Sequence, residues 1–573
     1  MDAVRGRSLV AGRAQGRLAW APLGLSFWGG VDPASGRVID RHHPLHGLEL
    51  AGRILAIPSG RGSCTGSAVL LELLLAGRGP AALVLAEPDE ILSLGAIVAE
   101  ELFGLSLPVV SVGAELFAAL AEHDEIAVSD GWIGAPGSVF PATAADEATD
   151  LQLSATDQAL LAGAQGKAVQ AAMRILVRMA RLQGARELLD ITQAHIDGCI
   201  YTGPASLAFA QRLVEWGGRV QVPTSLNAVS VDQRRWRAQG VDPALGEPAS
   251  ALAEAYVALG CRPTFTCAPY LLDSAPTLGE QVVWAESNAV VFANSVLGAR
   301  TQKYADFLDI CTALTGRAPL AGCHLDSGRR AAKVLRVTVP AGHDDAFYPL
   351  LGYWIGLRSP TRIPAVLGLE HARPSRDDLK AFGAAFATTS AAPLFHLVGV
   401  TPEAPTLATV AEPELEIEDI DLADLRQAWA ELDSGVAREV QLVALGNPHF
   451  SAEECQRLAE RCRGRHKHPE VALVITLGRE VRAAAERSGA LAELEAFGAQ
   501  LVGDTCWCML GEPLVPTQAR TLLTNSGKFA HYGPGLTGRE LRFAGLAACV
   551  EAACSALAPA DPPAWLTSVD LST

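Results

Sequence analysis

A chain of 573 residues with 49% hydrophobic and 19% charged side chains can bury several cores, three or four domain-sized units by length, and carries too little charge for long disorder. Its net charge of −17 is repelled by phosphate backbones and anionic headgroups, and no local basic patch offsets it, so nucleic acid and membrane surfaces are excluded as partners. The opening "MDAVRGRSLVAGRAQGRL" lacks an apolar core of signal-peptide length, and no uncharged apolar run of about 18 residues follows, so a cytoplasmic protein is expected.

From residue 1 to 133, β-like apolar runs ("GRILAIP", "AALVLAE", "LPVVSVG") alternate with helical patterns ("SAVLLELLLAG", "ILSLGAIVAEELFG"), which predicts a small α/β domain. Between the first strand and first helix stands "PSGRGSCTGS", a glycine and serine loop. Strand, loop and helix N-terminus together make an anion cradle, whereas the plain alternative is a tight turn that packs helix on sheet. No lysine follows the last glycine, and no dinucleotide G-x-G-x-x-G occurs, so a nucleotide phosphate site is not indicated.

Residues 134–150, rich in Ala, Pro, Thr and acid, predict a linker, and 151–573 a larger second body. That body opens on a helix with a Ser154 to Asp157 capping box, continued by "KAVQAAMRILVRMARL". The runs "RVQVPTSL", "AVVFANSVLG", "HLVGVTP", "VQLVALG" and "EVALVITLG" read as strands in further α/β layers, and 401–425, with its prolines and acids, reads as a connection between subdomains.

Three loops concentrate polar groups. His195 and Asp197 are either an acid and base or caps of a strand. Glu286, Ser287, Asn288, Asn294, Ser295 and Arg300 form either an internal network or a substrate surface. Asn525, Ser526, Lys528 and His531 share a glycine-bounded loop, where a lysine clamps a carboxylate or is merely solvated.

Twelve cysteines are too sparse for a disulfide framework in a chain this long. Cys199, Cys261, Cys311, Cys455, Cys462, Cys549 and Cys554 sit among small apolar residues or on apparent helices and read as buried thiols. Cys267 in "PTFTCAPY", Cys323 in "LAGCHLDSG" and Cys506 in "VGDTCWC" instead occupy short polar loops. No pair of them has C-x-x-C spacing, so the residues leave open whether they meet at one metal centre or stand alone.

Taken together, "GRAQGRL", "LSFWGGVDPASGRVIDRHHPLHG", "PSGRGSCTGS" and "EPDEILSLGAIVAEE" resemble the small swivelling domain of the aconitase X family. "PTFTCAPYLL", "WAESNAVVFANSVLGARTQ", "ALGNPHFS", "GDTCW" and "TNSGKFAHYGPG" resemble its large domain. The resemblance implies a small swivelling α/β domain fused to a large multi-lobed α/β domain, with the active site in the cleft between them. It implies a hydro-lyase in which three cysteines hold an iron–sulfur Lewis acid and a serine of the small domain is the base. On that resemblance Ser63 is the base, with Ser67 as runner-up or as a helix cap. The metal ligands are Cys267, Cys323 and Cys506, with Cys508 in place of Cys506 as the alternative, and Asn447 stands where some relatives have cysteine. The centre expected is [2Fe–2S], with [4Fe–4S] or a single iron as alternatives. The substrate residues expected are Arg61, Ser67, His195, Asp197, Ser287, Asn288, Arg300, Ser526 and Lys528.

The family divides between bacterial enzymes acting on cis-3-hydroxy-L-proline and archaeal enzymes acting on mevalonate 5-phosphate. The single fused chain and the Asn447/Cys323 pattern resemble the first. The expected reaction is therefore dehydration of that small-molecule hydroxy amino acid, through the 2-pyrroline enamine to Δ1-pyrroline-2-carboxylate, by a monomer or small homo-oligomer. A binding protein for iron or a small acid, without turnover, is the rival from another class.

Overall fold

The structure is a computed structural model that describes residues 3–40, 43–60, 65–141 and 150–567. It divides into two compact units, the first made of residues 1–224, 251–261 and 304–321, the second of 225–250, 262–303 and 322–573. No helix among the described residues is long and apolar enough to cross a membrane.

The first unit contains an eight-stranded sheet in the order Val4–Arg5, Trp132–Gly134, Glu125–Ser129, Arg13–Trp20, Ile54–Ile57, Ala82–Leu85, Val109–Ser111, Arg7–Val10. Arg13–Trp20 through Val109–Ser111 run parallel. The three parallel strands after Arg13–Trp20 are entirely buried, which is why they read as unbroken apolar runs. The helix Gly66–Leu75 follows the strand Ile54–Ile57, and Glu90–Phe103 follows Ala82–Leu85.

Asp89 caps the latter helix by accepting from Leu92 N, and its other oxygen accepts from Gly60 N at 2.8 Å. A Cβ at residue 60 would stand 2.7 Å from that oxygen, so a larger residue there would displace the Asp89 carboxylate that fastens the loop. The helix Lys167–Leu182 packs on this body, where Arg178 bonds Glu100 at 2.8 Å and Glu101 at 3.1 Å. Ser154 and Asp157 form the expected capping box.

The second unit is built on two all-parallel sheets. One has the order His396–Leu397, Pro364–Leu367, Lys333–Val337, Ile417–Ile420. Its last strand lies inside the stretch expected to be a connection between subdomains. That expectation fails because an edge strand tolerates charge: Glu418 faces Lys333 at 2.8 Å and also pairs with Arg358.

The other sheet has the order Ala499–Gly503, Ala472–Leu477, Leu442–Phe450, Thr521–Thr524, Glu540–Phe543. After the fully buried central strand, the chain adds two strands on one side and then two on the other. The carboxyl end of Leu442–Phe450 is thus a topological switch point, the place where open parallel sheets bind ligands.

The run "AVVFANSVLG" is not a strand but a helix, Ser287–Phe292, continued by a wide turn over Ala293–Leu297. A short apolar run does not fix its own period, and the cap decides: Glu286 accepts from Ala289 N at 2.9 Å.

Candidate functional site

Three loops of the second unit converge at carboxyl ends of that five-stranded sheet. The loop after Ala499–Gly503 carries Cys506 and Cys508, the end of Leu442–Phe450 carries Asn447 and His449, and the turn after Thr521–Thr524 carries Ser526, with Lys528 in the first turn of the helix it opens. A fourth segment, around Cys267, meets them. Cys267 and Cys506 are buried together with Ala228, and Cys508 packs against them.

The thiols of Cys267 and Cys508 both act on that of Cys506, and all three pack together. The neighbouring Cys267 thiol, and then burial, push Cys506 up to about 12, and the Cys506 thiol with burial lifts Cys508 well above the ordinary thiol range. Protein donors face the same sulfurs. Asn447 Nδ2 donates to Cys508 Sγ at 3.3 Å, and the His449 amide donates to Cys267 Sγ at 3.3 Å.

A buried ion pair backs the thiols. Lys528 Nζ lies 2.7 Å from Glu286 Oε1. Burial works against the Lys528 charge, but Glu286 and the thiols of Cys508, Cys506 and Cys267 hold its pKa well above the ordinary lysine value. Asn288 Nδ2 donates to Glu286 and, at 3.0 Å, to the Cys267 carbonyl, while Tyr270 donates to Asn288 Oδ1 at 2.8 Å. Ser526 caps its helix by accepting from Phe529 N at 3.1 Å and donates to the Asn447 carbonyl. Ser287 is half-buried at the first turn of the helix that Glu286 caps.

Arg479 fastens two of these loops from outside. It bonds Asp504 at 2.6 and 2.7 Å, donates to the Pro263 carbonyl at 3.3 Å and lies over the Phe265 ring at 4.6 Å.

Cys323 has other company. Its thiol donates to the Gly328 carbonyl at 3.4 Å, and the charges acting on it are Arg329, Glu403 and Arg300. Arg329 organises that neighbourhood, bonding Glu403, Asn294 and the carbonyls of Cys323, Asn294 and Ala299. Arg300 donates to the His324 carbonyl at 3.2 Å and pairs with Asp326. No contact among the described residues joins Cys323 to the other three thiols. The cysteines of the apolar group form no disulfide, and all but the half-buried Cys554 are buried.

His195, Asp197 and Ser67 belong to the first unit. His195 is fully enclosed, and burial pushes its pKa down to about 3. Asp309 accepts from the amides of Asp197 at 2.8 Å and Gly198 at 3.1 Å. Asp306, beside them, is lifted well above the carboxylate range by burial and then by Asp197 and Asp309. Ser67 is not the cap of its helix, since Thr65 holds that position. It is the second helical residue, donating from a buried hydroxyl to the Asp306 carbonyl at 3.2 Å. Arg61 and Ser63 lie outside the described residues.

Burial pushes Asp309 up to about 6 although the amides of Gly198, Ile310 and Asp197 favour its carboxylate. The folded chain therefore holds this proton more tightly than the unfolded one, and stability falls as pH rises from about 4 to about 6. A rise from about 4 to about 6 corresponds to about 3 kcal/mol. Urea unfolding should show wild type losing about that much relative to Asp309→Asn across the window, and parallel pH curves would contradict it.

The sequence reading passed over Thr266, His449 and Asp309. For His449 the available signal was position: "GNPHFS" ends an apolar run, where a parallel sheet collects its ligand loops, whereas Thr266 and Asp309 carry no such mark.

Models of four aconitase X domains match the chain: the swivel domain at residues 3–134, the first domain at 150–327, the second at 331–430 and the third at 440–555. The chain is 62% identical over 570 residues to a Pseudomonas aeruginosa protein named cis-3-hydroxy-L-proline dehydratase, covering 98% of both chains. It is 36% identical to the phosphomevalonate dehydratase large subunit of Methanothermobacter thermautotrophicus, over 68% of this chain and 95% of that one. The crystal structure of Thermococcus kodakaraensis aconitase X in its holo-form superposes with a TM-score of 0.63 at 30% identity, covering 70% of this chain and all of that one.

Proposed function

The chain belongs to the aconitase X family, and from that premise we propose that it removes water from cis-3-hydroxy-L-proline to give Δ1-pyrroline-2-carboxylate by way of the 2-pyrroline enamine. The observation that carries the reading is the 62% identity, sustained over 98% of both chains, to a protein named for that dehydration. The relatives named here are dehydratases, and this chain is a hydro-lyase.

The reaction takes a proton from the carbon beside the carboxylate and hydroxide from the next carbon. Hydroxide leaves slowly unless its charge is taken up. An iron–sulfur centre, when bound, supplies a Lewis acid for that purpose.

The residues fit such a centre by donor chemistry: three soft thiols lie together, two of them receive N–H donors, and Lys528 adds a positive charge to offset thiolates. Among the described residues no group of three or more His, Cys, Asp or Glu side chains is already set out as a cage for a single metal ion. We assign Cys267, Cys506 and Cys508 as the ligands. Three thiols fill three of the four protein positions of a [2Fe–2S] centre, and iron and sulfide analysis separates this from a cubane or a single iron.

Ser63, whose role rests on the family resemblance, takes the α-proton, and Arg61 beside it in sequence favours the alkoxide and the substrate carboxylate. Asn288 is committed to Glu286, Cys267 and Tyr270, and Lys528 to Glu286, so both order the site, while half-buried Ser287 is the group of that segment left to face substrate. The direct test incubates iron-replete protein with cis-3-hydroxy-L-proline and follows Δ1-pyrroline-2-carboxylate. Absence of product from iron-replete protein would reject the assignment.

A further inference from the structure

His449 joins the two cysteine-bearing loops. Its Nε2 lies 2.7 Å from the Thr505 carbonyl, its Nδ1 lies 3.2 Å from Thr266 Oγ1, and its amide donates to Cys267 Sγ. Thr266 and Thr505 each precede a cysteine, Cys267 and Cys506.

The hydrogens follow from valence. A carbonyl oxygen only accepts, so Nε2 carries the proton. In the neutral ring Nδ1 is then bare, and the Thr266 hydroxyl must donate to it. That leaves Thr266 Oγ1 free to accept from Ala268 N, which stands at 3.1 Å. The series runs in one direction, amide to hydroxyl to imidazole to carbonyl, and each member has one arrangement.

The surroundings hold the ring in place. Lys380 Nζ donates to the His449 carbonyl at 3.2 Å and is itself paired with Glu454 and, at 3.5 Å, Asp377. A Cβ at Gly478 would stand 3.1 Å from Thr266 Oγ1 and 3.8 Å from His449 Nδ1, so the bond lies against a residue with no side chain.

We propose that His449 is a positioning residue: its ring clasps Thr266 to Thr505 and so fixes the Cys267 and Cys506 sulfurs in the arrangement that retains the iron. This rests on the reading that those two cysteines are ligands. Outer hydrogen bonds of this kind typically govern metal affinity by roughly 10–100-fold.

The test uses the full chain loaded with iron, as wild type, Thr266→Val, Thr266→Ser, His449→Gln and the Thr266→Val/His449→Gln double variant. Iron release to a bipyridyl chelator, alkylation of Cys267 and Cys506 by iodoacetamide in the iron-free chain, and thermal midpoint are measured on each. Thr266→Val and His449→Gln should each weaken iron retention by roughly 10–100-fold. The double variant should be no worse than the poorer single one, because both remove the same bond. Thr266→Ser should restore wild-type behaviour, and the thermal midpoint should not track the iron loss.

Wild-type iron retention in Thr266→Val, or single effects that multiply in the double variant, would overturn the clasp. If wild type binds no iron, the metal reading falls on its own, and alkylation still decides: faster reaction of Cys267 in Thr266→Val than in Thr266→Ser supports the clasp, and equal rates reject it. Should His449→Gln fail to fold, the two Thr266 variants carry the same decision.

Discussion

Cys267→Ser, Cys506→Ser and Cys508→Ser should each yield a folded chain that has lost its iron and, with it, its turnover. Removing a thiolate takes away a bond to the metal itself, so the loss exceeds the roughly 10–100-fold that an outer hydrogen bond costs. These three are the thiols that lie in contact, with Asn447 and His449 donating to two of them. Cys323→Ser separates this account from the ligand set expected on resemblance. Its thiol is engaged with the Gly328 carbonyl beside Arg329, so the variant should keep iron and rate. Cys549→Ser, fully enclosed in the apolar core of the five-stranded sheet, should keep both as well. Iron content and the visible spectrum are the readouts. An iron-replete Cys508→Ser with full activity would remove that residue from the set.

Ser63→Ala should lower kcat by roughly 10²–10⁴-fold, the usual share of a positioned general base, and leave iron content unchanged. Ser67→Ala is the contrast. Ser67 donates from within its helix to the Asp306 carbonyl, so its loss removes one buried hydrogen bond, worth about 1 kcal/mol of stability, and little rate. Solvent deuterium exchange at the substrate α-carbon distinguishes the two serines. Exchange that survives Ser63→Ala and disappears in Ser67→Ala would reverse the assignment.

Much of the fold was legible because parallel strands covered on both faces must be apolar throughout. Ile54–Ile57, Ala82–Leu85 and the "LVAL" start of Leu442–Phe450 announce themselves in that way. What failed were elements decided by something other than their own pattern. Residues 287–297 are helical because Glu286 caps them, and Ile417–Ile420 is a strand despite its acids because Lys333 and Arg358 meet Glu418.

The site divides along the same line. Cys267 and Cys506 stood out by the polar company of their loops, which is a local property. That Cys508 lies with them and Cys323 does not is set by which strand ends the parallel sheet brings together, and no spacing along the chain records it. The His449 contacts with Thr266 and Thr505 were invisible for the same reason.

One assay decides the substrate directly. Iron-replete protein is offered cis-3-hydroxy-L-proline, its trans isomer and mevalonate 5-phosphate in parallel, and kcat/KM is measured for each. Turnover of the cis isomer should be far above that of the other two, because a base and a Lewis acid held at fixed positions address particular faces of the ring. Faster dehydration of mevalonate 5-phosphate, or no turnover of any of the three by protein carrying its full iron, would contradict the substrate assignment.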